Sequence, residues 1–187
     1  MSQVPVGGDR AMSQVPVGGE SLTHLDAQGR ARMVNVTGKE VTVRRAVARC
    51  VVRTIVGPRT VLGLTDPAGD AVAKVAGIQA AKRTAELIPL CHPLLLSDIR
   101  IEVVVGERQI EVTSMTEVVD RTGVEMEALT ACAFTGLSLV TALRASDPCA
   151  YIDELALWRK TGGRSGTWQR QGTRAGIEES GDRSSSE

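Results

Sequence analysis

Two kinds of periodicity alternate along the 187 residues, and their order predicts an α+β fold. Segments rich in Val, Ile and Thr read as strands, and two apolar segments with spacing near 3.6 read as helices. They run strand, helix, strand, strand, helix, strand. That order is the split βαβ pattern of ferredoxin-like folds, with helices on one face of an antiparallel sheet. The length suits one domain with its own core.

The first strand is predicted over residues 41–53, which are rich in Val, Arg and β-branched residues. Residues 58–64 suit a short helical turn. Residues 71–87 are Ala-rich and predict a helix, which Pro89 and Pro93 end while enclosing a rigid loop. Residues 99–105 and 109–119 predict a hairpin around Gly106, Glu107 and Arg108. Residues 123–145 predict a long helix buried nearly all round. The stretch 128–143 is the one apolar run of near-membrane length; Thr, Ser and Gly break it and membrane anchors do not flank it, so it reads as a core helix. A last strand is predicted over 151–158, followed by a glycine-rich loop at 162–166.

The ends differ in character. MSQVPVGG occurs at 1–8 and again at 12–19, and Pro-Val-Gly-Gly resists regular structure. Residues 1–21 and a Gly-, Ser- and Glu-rich tail from 169 to 187 are expected to be disordered, which leaves 22–168 as the folded unit.

Composition narrows the function. Aromatics are only 2%, so the core must come from Val, Leu, Ile and Ala, and oligomerisation is an expected source of further burial. A formal net charge of zero and few stacking platforms argue against a nucleic-acid partner. Cys50, Cys91, Cys132 and Cys149 show no metal-type spacing, and His24 and His92 stand far apart, so neither a metal site nor a disulfide framework is expected. Without a leader-like start or membrane span, the expected location is cytoplasmic.

Four places can carry chemistry. Lys82 and Arg83 are adjacent cations suited to a polyphosphate or carboxylate, although two solvated cations closing a helix would look the same. Leu90, Cys91 and His92 lie between two prolines, a rigid setting for a hydrogen-bonding or acid–base imidazole, or simply for a structural histidine. Glu125 and Glu127 flank Met126 at a helix start; the dipole explains one carboxylate, and one on a buried face would carry a raised pKa. Lys160 and Arg164 flank glycines whose N–H groups can approach an anion. The four cations together point to a phosphate-bearing ligand.

AGIQAAKRT (76–84), LIPLCHPL (87–94), RTGVEMEALTA (121–131) and KTGGRSG (160–166) together resemble the signatures of the molybdenum-cofactor biosynthesis protein C (MoaC) family. The resemblance spans 22–168. It implies a ferredoxin-like lyase, a cyclic pyranopterin monophosphate synthase, assembled as dimers forming a hexamer with sites at the dimer interface. The implied substrate is 3',8-cyclo-7,8-dihydro-GTP, rearranged with release of pyrophosphate and without a cofactor or metal. Under it, His92, Glu125, Glu127 and Lys160 are the catalytic candidates. Lys82, Arg83, Leu90, Cys91, His92, Met126, Glu127 and Arg164 are the substrate contacts.

The chain departs from the family pattern at three places. A Lys-Gly-Asp sequence is expected where Asp66 to Asp70 reads DPAGD. An Asp-x-x-Lys pair is expected where Thr141 and Arg144 stand, and a third Asp where Asn35 stands. Thr141 cannot titrate as a carboxylate and Arg144 keeps its proton. These departures make two other readings available: a member repurposed for a different cyclisation or rearrangement in specialised metabolism, or a non-catalytic ligand-binding subunit.

Overall fold

A computed structural model describes residues 24–26, 28–58 and 70–171. The N-terminal repeat, the turn expected after Pro58, most of the DPAGD stretch and residues 172–187 lie outside the described residues. The chain divides into two units at 34/35. In the first, Leu25 bridges Ala31, and Asp26 closes the turn by accepting from the N–H groups of Gln28 and Arg30.

The second unit holds β1 (Thr42–Arg53), α1 (Ala71–Lys82), α2 (Thr84–Leu87), β2 (Asp98–Val105), β3 (Gln109–Asp120), α3 (Glu125–Leu143), β4 (Tyr151–Thr161) and β5 (Trp168–Gln169). The sheet order is β2-β3-β1-β4-β5, with every neighbouring pair antiparallel. The first four strands and the two long helices make the expected ferredoxin-like arrangement.

Alternation in β1 and β3 explains the layers. Ala46, Ala48, Cys50 and Val52 face the helices with Ile110, Val112, Ser114, Thr116 and Val118. The opposite face carries Arg45, which pairs with Glu117, and Arg53, which pairs with Asp153 and Glu154. α3 packs its Ala128, Cys132, Leu139 and Leu143 into the core. By length and composition it could cross a membrane, but half of its apolar window is buried inside this fold.

Small residues set how closely the helices approach. A Cβ on Gly77 of α1 would collide with the Thr135 hydroxyl and lie 2.7 Å from the Ala131 carbonyl oxygen. The two helices therefore cross at Gly77 with no room for a side chain.

Three boundaries differ from the sequence expectation. The helix expected over 71–87 breaks at Arg83, whose N–H bonds the Ala80 carbonyl in a tightened turn while the buried Thr84 hydroxyl donates to Ala81 O at 2.9 Å. The last strand runs three residues further, to Thr161, because β1 continues to pair with it as far as Arg45. Gln169, assigned above to the tail, pairs with Arg159, and Arg170 N–H donates to Trp158 O.

Candidate functional site

The start of β1 pairs with the end of β3 (Thr42 with Asp120) and with the end of β4 (Arg45 with Thr161). The turn into α3, the glycine loop after β4 and the start of β1 therefore meet at one end of the sheet. The 88–97 loop feeds β2 at the same end, where Asp98 pairs with Glu117. This convergence follows from the antiparallel topology.

α3 is anchored there by two buried hydroxyls. Thr116 donates to Val124 O at 3.0 Å and Ser114 donates to Ala128 O at 2.7 Å. These two carbonyls bracket the helical turn that carries Glu125, Met126 and Glu127. Both acidic residues sit in the first turn, where the helix dipole favours negative charge.

The two carboxylates then diverge. Glu125 bends back over Gly123 and accepts from Lys160 Nζ at 3.1 Å, forming a half-exposed ion pair. Glu127 points inward and is 4% exposed. Burial is the main reason its pKa is pushed up to about 7; the nearby Glu125 charge adds to the rise, and its own N–H opposes it. A carboxyl group at that value exchanges a proton readily at neutral pH.

The proline loop lies beside Glu127. The Cys91 thiol is raised above its ordinary pKa, first by burial and then by the Glu127 charge. That direction disfavours a thiolate nucleophile at Cys91. Leu90 holds φ at +66°, in the left-handed region. His92 is half-buried and makes no hydrogen bond to another described residue. Met126 is exposed beside these groups.

The remaining cations are distributed unevenly. Lys82 and Arg164 are exposed. Arg83 forms a solvated pair with Glu86 at 3.2 Å. Thr141 and Arg144 are exposed at the opposite end of α3, and Thr141 is spent on a local bond, donating to Leu137 O at 2.9 Å. Thr141 lies about 20 Å along the helix axis from Glu127. The structure therefore brings together the 88–93, 121–127 and 160–166 segments but not these two residues. Among the described residues no group of three or more His, Cys, Asp or Glu could hold a metal ion.

Two contributing residues escaped the sequence reading. Arg44 at this end donates to the Asp120 carbonyl, and Asp147 at the other accepts from the N–H groups of Ile55 and Val56. An arginine in the apolar register of β1 was the available signal for Arg44.

Residues 33–163 match the MoaC family. A cyclic pyranopterin monophosphate synthase of Streptomyces coelicolor is 47% identical over 167 residues, covering 87% of this chain and 97% of that protein. One from Thermomicrobium roseum is 50% identical over 157 residues, covering 80% and 93%. The cyclic pyranopterin monophosphate synthase 2 of Mycobacterium tuberculosis is 48% identical over 155 residues, covering 80% and 92%.

Proposed function

Because the chain belongs to the MoaC family, we propose that it is a cyclic pyranopterin monophosphate synthase of molybdenum cofactor biosynthesis. The reaction is the conversion of 3',8-cyclo-7,8-dihydro-GTP to cyclic pyranopterin monophosphate and pyrophosphate. The observation that carries the reading is Glu127: a buried acid with a pKa of about 7, next to a rigid Cys91–His92 loop and at the cationic end of the fold.

In this reading Lys160, Arg164, Lys82 and Arg83 neutralise the triphosphate and the departing pyrophosphate. Arg83 exchanges its exposed Glu86 partner for phosphate. Glu127 takes and returns a proton on the purine-derived ring while it rearranges. His92 supplies a second polar contact, and Glu125 keeps Lys160 in place. Leu90, Cys91 and Met126 line the ligand.

Thr141 and Arg144 are too distant to touch a ligand held at Glu127 of their own chain, so they act, if anywhere, on the ligand of a neighbouring copy. Exposed Val72 and Val75 on α1, with Phe134 and Leu137 on α3, supply an apolar outer surface that supports a homo-oligomer of dimers forming a hexamer. The reading is of a cytoplasmic enzyme with a phosphorylated purine- or pterin-type substrate and no nucleic-acid or membrane partner.

The names and coverage of the relatives favour the synthase over a repurposed or non-catalytic member. The test is incubation of the purified protein with 3',8-cyclo-7,8-dihydro-GTP, following pyrophosphate and the pterin product. Turnover sustains the reading. Tight binding without turnover replaces it with a ligand-binding subunit, and neither binding nor turnover replaces it with another chemistry.

A further inference from the structure

Arg44 stands in the register of β1 that otherwise carries Ala46, Ala48, Cys50 and Val52 toward the helices. A charged side chain in an apolar register needs a reason. Its Nε donates to the Asp120 carbonyl at 3.0 Å, and its Nη2 reaches Glu40 O at 3.5 Å. Asp120 is the last residue of β3 and begins the turn into α3.

The same guanidinium lies against the glycine loop. A Cβ on Gly163, whose φ is +68°, would collide with Nη1 and lie 2.9 Å from Cζ. A Cβ on Gly162, whose φ is +94°, would likewise collide with the Val43 carbonyl oxygen. Only glycine both adopts these angles and lets the backbone settle on the arginine. A planar guanidinium suits this contact, because one edge hydrogen-bonds a carbonyl while its flat surface supports a chain.

We propose that Arg44 is a positioning residue, which fastens the Gly162–Gly166 loop to the turn entering α3 and so keeps Lys160 and Arg164 aligned with Glu125 and Glu127. Two segments far apart in sequence, 120–127 and 160–166, share this one side chain. The ion pair between Lys160 and Glu125 links the same two segments a second time, on the ligand side. Arg44 works from beneath, where it is half-buried. Its effect on the ligand rests on the phosphate-binding reading of the loop; its mechanical effect does not.

The test uses the full chain with Arg44→Lys and Gly163→Ala, which attack the contact from opposite sides. Amide hydrogen exchange is measured without ligand, and inorganic tripolyphosphate affinity by calorimetry. Arg44→Lys retains the charge but not the planar fork. It should keep the overall fold and accelerate exchange at least tenfold in both 120–125 and 161–166. Gly163→Ala should accelerate the same two segments. Tripolyphosphate affinity should fall about tenfold in each variant, and the double variant should be no worse than the weaker single one, since both remove one contact.

Accelerated exchange in one segment alone, or in neither, overturns the proposal. So does a general loss of stability with both segments affected no more than the rest of the sheet. A wild-type protein that fails to bind tripolyphosphate sinks the ligand reading, while the exchange result still decides the role of Arg44.

Discussion

A buried carboxyl group lies near each end of α3, and the two are managed in opposite ways. Asp147, just past its C-terminus, is 2% exposed and accepts from the N–H groups of Ile55 at 2.6 Å, Val56 at 3.4 Å and Cys149 at 3.1 Å. Glu127, in the first turn, is 4% exposed and, among the described residues, has only its own N–H directed at it. Three donors replace the water that Asp147 lost, so it works as a knot that ties the end of β1 to the end of α3. Without such donors, Glu127 keeps a labile proton. Burial alone does not make a carboxylate reactive; burial without compensation does.

The comparison breaks most clearly through activity. Glu127→Gln keeps size and burial but cannot exchange the proton, so turnover of the cyclised GTP substrate should fall by about 10²–10⁴. Thr141→Ala at the far end should change it by no more than about threefold, given that its hydroxyl is occupied within its own helix. A steady-state assay of both variants checks this; equal losses would erase the distinction between the two ends.

Stability should reverse the ranking. Asp147→Ala leaves three N–H groups without an acceptor and should cost about 2–4 kcal/mol by urea unfolding. Glu127→Gln should be neutral or stabilising at pH 8, where the wild-type carboxylate is charged in an apolar setting.

The pH dependence sharpens the same point. The Glu127 pKa rises from an ordinary 4.5 to about 7 on folding, so folding takes up a proton between those values. Its contribution is fullest below pH 4.5 and is lost as pH rises toward 7, by at most about 3 kcal/mol. Unfolding measured from pH 5 to 8 should show this decline for the wild type, relative to a flatter Glu127→Gln profile. The smallest effect is expected at Lys160→Met. Removing its half-exposed pair with Glu125 should cost only about 0.5 kcal/mol of stability, while weakening tripolyphosphate binding.

How much of this was legible in the sequence depends on the range of the interaction. The strands and long helices announced themselves by alternation and apolar spacing, and the proline loop and VEME segment stood out by composition. The break at Arg83 did not, because it depends on the Thr84 hydroxyl finding the Ala81 carbonyl in a buried setting. Nor could the sequence say which glutamate turns inward. Glu125 and Glu127 differ by two positions in a helix; the anchoring of α3 on Ser114 and Thr116 turns Glu127 inward and leaves Glu125 to Lys160, thirty-five residues away on β4. Asp147 drew no notice in the sequence, because its donors on the β1 exit come together only when the chain is folded.

Leu90 carries a consequence for anyone improving this protein by selection. Its left-handed backbone, at φ +66°, is one that glycine or asparagine would adopt at less cost. A library screened for heat resistance alone should therefore enrich Leu90→Gly or Leu90→Asn. The same winners would surrender the side chain next to Cys91 and His92 and the stiffness of the loop. Screening for survival and screening for turnover should pull this one position in opposite directions.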